Sequence, residues 1–154
     1  MVAHGVHLGD RSGVQGTVVH NPRSNLNNAV GYARPARFAQ PVALGTDGIG
    51  ADMLEEFRLA YVLDRSSDVT ASPERAWSWL TAGRALVPGV AADRVTWSYP
   101  EMEPWHLAYT TGVHPLEVEV GGRVVWRDGA PTQVDPVEIR AKAAEQVERL
   151  FARL

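Results

Sequence analysis

Apolar positions along the chain change texture at about Arg65. Before it they come in short, largely β-branched runs at residues 2–6, 17–20 and 42–46, each closed by polar or glycine-containing residues. Short continuous runs of this kind suit strands covered on both faces of a parallel sheet, so three buried parallel strands are predicted. After the third run, Met53, Phe57, Ala60 and Tyr61 recur at helical spacing, which predicts a helix over residues 53–63. Asp52 stands where an N-cap belongs, and Glu55 three residues on would complete a capping box. Strand, connection, strand, connection, strand, helix is the grammar of an α/β fold.

Beyond Arg65 the pattern turns β-rich. Ser72, Pro73 and Glu74 precede a short helix carrying Trp77, Leu80 and Arg84, which Pro88-Gly89 ends. Residues 94–99 (RVTWSY) alternate as a strand does, and residues 116–120 and 123–126 flank Gly121-Gly122. Both central positions of a type I′ turn need positive φ, so that pair predicts a hairpin. A last helix begins at Asp135 as N-cap with Pro136 at its first position and Glu138 three residues after the cap. Ile139, Ala143, Val147 and Leu150 form its apolar stripe, expected to tie the helix down. The expected organisation is residues 1–65 as one part and residues 73–154 as the other, with the boundary at residues 66–72.

Composition adds mostly exclusions. The chain has 154 residues, 45% hydrophobic and 21% charged, an ordinary globular balance. A formal net charge of -3 with no dense basic run argues against nucleic acid as a partner. No apolar stretch approaches the roughly 18 residues of a membrane span, and the N-terminus lacks a signal-peptide pattern, so a cytoplasmic location is expected and no membrane partner. With no cysteine, any metal site has to be built from histidine and carboxylate.

Chemistry concentrates at the ends of the predicted strands. His4 and His7 follow the first in HGVH, His20 ends the second in VVHNP, and Asp47 ends the third in ALGTDG. Polar residues at the C-terminal ends of consecutive parallel strands share one face, which is how a (β/α) barrel assembles an active site. Each also has a plain reading: Asp-Gly is a common turn, and His20 before Asn21-Pro22 can simply close a strand. His106 and His114, beside Trp105 and Pro115, read as surface or packing residues.

The runs VAHGVHL, VVHNPRSNLNNAVGY and VALGTDGIGADMLEEFRLAYVL resemble the sixth, seventh and eighth barrel strands of the metal-dependent amidohydrolase superfamily, in its aminohydrolase and chlorohydrolase branch. That branch includes deaminases of guanine, methylthioadenosine and S-adenosylhomocysteine; the HNPRSNLNNAVGY run most resembles the aminohydrolases associated with selenium metabolism. PGVAADRVTWSY and VGGRVVWRDG resemble the return to a composite β-domain and its closing hairpin. The fold so implied is α/β: the last three strands of a (β/α)8 TIM-type barrel, then a small β-rich composite unit and a C-terminal helix.

The resemblance implies hydrolysis of a non-peptide carbon–nitrogen bond in a purine-like or other amidine-containing small molecule. A zinc or iron ion in the complete family enzyme lowers the pKa of the attacking water. Asp47 would be both metal ligand and catalytic proton shuttle, His4 would polarise the reacting group, and His20 would stand behind them as a supporting residue; substrate-binding residues are not assigned. The family's His-x-His pair and its further histidine ligand have no counterpart here, and a catalytic metal needs about three protein ligands. The chain is therefore expected to be a C-terminal portion that is inactive and metal-free alone, and to self-associate or depend on a partner chain that completes the barrel. The alternative is a non-catalytic remnant or accessory module, and a third reading is an unrelated small α/β binding domain. The connection after His7, GDRSGVQG, is too short and glycine-rich for a crossover helix.

Overall fold

A computed structural model describes residues 1–9 and 13–154. Strands β1 (Val2–Ala3), β2 (Val18–His20) and β3 (Val42–Leu44) form a three-stranded sheet in that order, parallel throughout, with Val2 against Val18 and Val18 against Val42. All three are shorter than the apolar runs. The first stops at Ala3 because His4 and Gly5 turn to φ +66° and +69°, which no strand accommodates. No helix joins β1 to β2 among the described residues; residues 10–12 of that connection lie outside them.

Helix α1 (Pro22–Asn27) follows β2 directly, with Pro22 at its first turn. Helix α2 (Met53–Ser67) starts where expected: the Asp52 carboxylate accepts from the backbone N–H of Leu54 at 2.9 Å and of Glu55 at 3.1 Å. The Glu55 side chain accepts from Arg58 Nη1 at 2.7 Å. Helix α3 (Pro73–Ala82) packs on β3 and α2. The core gathers Val18, Ala43, Leu44, Leu54, Phe57, Ala60, Ala76, Trp79 and Leu107. Full burial of residues such as Leu54, Phe57 and Leu107 contributes roughly 1.5–3 kcal/mol each.

The chain divides into two compact units. The first is Met1–Pro88 with Glu101–Thr111, the second Gly89–Pro100 with Gly112–Leu154. Residues 66–72, expected as the boundary, lie inside the first unit. There α2 and α3 are tied by Arg75, whose Nε donates to the buried Asp64 at 2.7 Å and whose Nη2 donates to Asp68 at 2.8 Å. Helix α4 (Pro104–Tyr109) also belongs to this unit, because Arg58 on α2 donates to the carbonyls of Leu107 at 2.9 Å and Thr110 at 2.6 Å.

The second unit is an antiparallel sheet of β4 (Arg94–Trp97), β5 (Pro115–Val120), β6 (Arg123–Arg127) and β7 (Ala130–Pro131), followed by α5 (Pro136–Phe151). Gly121 and Gly122 take φ +56° and +79° in the predicted hairpin. Asp135 caps α5 through Val137 N–H at 2.8 Å and Glu138 N–H at 3.4 Å. The expectation that the α5 stripe is tied down fails: no residue of α5 is buried, and Ile139, Val147 and Leu150 are exposed. Val113 is the only buried hydrophobic of this unit among the described residues, so there is no core for the stripe to join. No described helix is long and apolar enough to cross a membrane.

Candidate active site

The ends of β1, β2 and β3 bring His4, Asp47 and the start of α1 together. His4 lies just past β1, held by its backbone N–H donating to Val19 O at 2.8 Å, and Asp47 lies three residues past β3. Both take left-handed backbone, at φ +66° and +55°. Left-handed conformation is uncommon for a residue with a Cβ and collects at functional positions, where surrounding structure holds it. Here it turns His4 Nε2 and Asp47 Oδ2 to within 3.7 Å of each other.

Helix α1 supplies the holding groups. Ser24 Oγ donates to Asp47 Oδ2 at 2.6 Å and itself accepts from Asn28 Nδ2 at 3.3 Å. The Ser24 hydrogen bond first, then one from the Gly48 backbone, holds the Asp47 carboxyl below the usual carboxylate range, so it is ionised at neutral pH. His4 Nδ1 lies 2.9 Å from Asn25 Oδ1 and 3.3 Å from Asn21 Nδ2. Carrying its proton, Nδ1 donates to Asn25; bare, it accepts from Asn21, so the two amides suit both tautomers. Asn21, Ser24 and Asn25 are all buried. Gly45 permits this approach: a Cβ there would meet Asn21 Oδ1 at 2.5 Å and Val19 Cγ1 at 2.9 Å.

Glu56 anchors α1 from below. Its fully buried carboxylate accepts from Arg23 Nε at 2.8 Å and from the Arg23 backbone N–H at 3.2 Å, fixing the first turn of the helix that presents Ser24 and Asn25. His20 stands apart from the His4–Asp47 pair. Its ring is buried, meets Tyr32 edge-on at 5.7 Å between centroids, and neither nitrogen has a hydrogen-bond partner. Burial first, then the nearby His4, pushes its pKa down to about 4.

His7 is exposed and outside the cluster. His106 pairs with Glu101 at 3.5 Å, and His114 Nδ1 lies 2.8 Å from Gly112 O. Asn21, Ser24, Asn25 and Glu56 were not singled out from the sequence, although the first three sit in the HNPRSN run that carried the resemblance.

No group of three or more histidine, cysteine, aspartate or glutamate side chains among the described residues converges to hold a metal ion. One imidazole and one carboxylate 3.7 Å apart make one edge of such a site. The described residues therefore do not by themselves fit a resident metal.

No family model matches the chain. It is similar to 5'-deoxyadenosine deaminase of Methanocaldococcus jannaschii, 29% identical over 181 aligned positions that cover 97% of this chain and 43% of that protein. It is also similar to 5-methylthioadenosine/S-adenosylhomocysteine deaminase of Shouchella clausii, 28% identical over 184 positions covering 97% and 42%. Both alignments are longer than the 154-residue chain, so the relatives carry residues within this span that the chain lacks. Among solved structures it resembles an adenosine deaminase from Xanthomonas campestris with bound zinc, at TM-score 0.75 and 23% identity over 97% of this chain and 42% of that one. The chain thus spans about two fifths of the length of the relatives it matches. Its homologues are deaminases of adenosine-type compounds, and nearly its whole length is consistent with the C-terminal portion of the amidohydrolase superfamily.

Proposed function

We propose that this chain contributes His4 and Asp47 to a hydrolytic deaminase site for an adenosine-type substrate, with β1, β2 and β3 as the last three strands of a (β/α)8 barrel. The observation that carries the reading is the His4–Asp47 pair, both left-handed, locked by Ser24, Asn25 and Asn21 at the ends of three parallel strands. Likeness to deaminases along 97% of the chain supports it.

The chemistry follows from the groups present. Water adds to the ring carbon that bears the amino group, forming a C–O bond. Asp47, ionised and with Oδ2 held by Ser24, takes one proton from that water and passes it to the amino nitrogen. The C–N bond then breaks, ammonia leaves, and the second water proton ends on the neighbouring ring nitrogen. His4 Nε2 faces the same carboxylate oxygen and is placed to donate to the reacting centre as charge develops there. In this reading further ligands, and the zinc or iron they hold, come from barrel strands matching the part of the relatives outside the alignment.

The test is ammonia release from 5'-deoxyadenosine and methylthioadenosine by the chain complemented with the uncovered portion of its Methanocaldococcus relative, in zinc. Asp47→Asn is expected to lower kcat by about 10²–10⁴-fold without unfolding, and His4→Asn to lower it strongly. His114→Asn should change little. Equal kcat for Asp47→Asn and the parent, or no ammonia release from either, would overturn the reading.

A further inference from the structure

Asp47 has two carboxylate oxygens, and its backbone does not decide which of them meets a substrate, because the terminal torsion of an aspartate is broad and roughly two-fold. Ser24 breaks that symmetry. Its buried Oγ donates to Oδ2 at 2.6 Å, whereas His4 Nε2 lies 3.7 Å from the same oxygen, beyond hydrogen-bond reach.

The direction of the Ser24 hydroxyl is fixed in turn. A serine hydroxyl carries one proton and two lone pairs and rotates to suit its partners. Asn28 Nδ2 donates to Oγ at 3.3 Å and so occupies a lone pair, which leaves the single hydroxyl proton for Asp47. The support beneath is rigid as well: Arg23, next to Ser24, bonds the buried Glu56 carboxylate through both its backbone N–H and its Nε. Asn28 stands at the C-terminal end of α1 and is exposed.

We propose that Ser24, oriented by Asn28, is a positioning residue that ties Oδ2 of Asp47 and thereby makes Oδ1 the oxygen that carries the proton. The Asp47 side chain is 41% exposed, and with Oδ2 turned to the buried hydroxyl its open side belongs to Oδ1. The inference rests on the deaminase reading: the water O–H bond breaks as Oδ1–H forms, and that proton passes to the amino nitrogen and leaves in ammonia. Ser24 gives up no proton and touches no reacting atom. Without it the carboxyl turns between its two oxygens and is misaimed for part of the time. A misplacement of about 1 Å costs on the order of 10²-fold in rate, so partial misaiming is expected to cost about tenfold.

The test is steady-state ammonia release from 5'-deoxyadenosine by the complemented chain, with Tm recorded for each variant. Ser24→Ala should lower kcat about tenfold with KM within about twofold of the parent, and Ser24→Thr, which keeps the hydroxyl, should restore most of it. Asn28→Ala, a change at an exposed position, should lower kcat about threefold. A purely structural role would instead lower Tm and leave kcat per folded chain unchanged. In the chain alone at neutral pH, the ¹³C resonance of the Asp47 carboxyl should move in Ser24→Ala and return in Ser24→Thr. An active parent whose kcat is matched by Ser24→Ala overturns the inference alone, as do identical Asp47 resonances in the two. If Ser24→Ala does not fold, an unchanged kcat in Asn28→Ala overturns it. No ammonia from the parent overturns the deaminase reading, and this inference with it.

Discussion

Replacing Glu56 by glutamine probes how the site is supported, because the change alters charge and donor pattern but hardly shape. Two donors converge on this carboxylate: Arg23 Nε–H reaches Oε1 at 2.8 Å and Arg23 backbone N–H reaches Oε2 at 3.2 Å. A carboxylate offers two acceptors, whereas glutamine offers one acceptor and one NH₂ group. One of the two Arg23 donors must then face another donor in a place water does not reach, since the Glu56 side chain is 1% exposed. A lost hydrogen bond to a charged group costs about 1.5–3 kcal/mol. Arg23, 35% exposed, recovers part of this by swinging its guanidinium into solvent, which leaves an expected net cost of about 2 kcal/mol. For a chain of this size that is a fall in Tm of roughly 4–8 °C. Thermal unfolding followed by circular dichroism reads it, with Arg23→Ala as comparison. Arg23→Ala should cost at least as much, because it leaves the buried Glu56 carboxylate charged with only the backbone N–H of residue 23 donating to it. Since Glu56 fixes the first turn of α1, the glutamine variant should also lengthen the Ser24–Asp47 contact from 2.6 Å, visible as shifted Ser24 and Asp47 amide resonances. Stability within about 0.5 kcal/mol of the parent would refute the claim that this pair anchors α1.

Two further outcomes follow from groups the site does not use. His20 has its folded pKa depressed to about 4 against 6.5 unfolded, so folding holds it neutral: its contribution is complete above pH 6.5 and is lost as pH falls towards 4. That loss amounts to about 3 kcal/mol, and His20→Leu, which removes no hydrogen bond, should abolish the decline in Tm over that window; an unchanged decline would exclude His20 as its cause. Ile139→Ser with Leu150→Ser should leave stability within about 0.5 kcal/mol of the parent while reducing concentration-dependent association in sedimentation, because the α5 stripe is exposed; a large loss of stability would show that it is packed.

What was legible in the sequence is what short-range physics decides. Asp52 and Asp135 cap the helices they were expected to cap, because an N-cap bonds N–H groups two and three residues away. Gly121-Gly122 makes its hairpin because the turn needs positive φ at adjacent residues. The three apolar runs each hold a parallel strand, and β3 is buried throughout as a run covered on both faces should be, whereas β1, expected to be buried, has Val2 half-buried and Ala3 exposed.

Tertiary structure decided the rest. Ser24 meets Asp47 and Asn25 meets His4 across 23 and 21 residues of chain, and nothing local in HNPRSN shows which carboxylate or imidazole its side chains will reach. The strand ends were misjudged for the same reason, since His4 and Asp47 are held in left-handed backbone by partners elsewhere rather than by their neighbours. Arg58 draws residues 101–111 into the first unit from a stretch that reads as part of the second half. The stripe of α5 shows the limit most plainly: hydrophobic periodicity records a face that gains by being covered, but whether it is covered depends on every other element, and among the described residues of the second unit only Val113 is a buried hydrophobic.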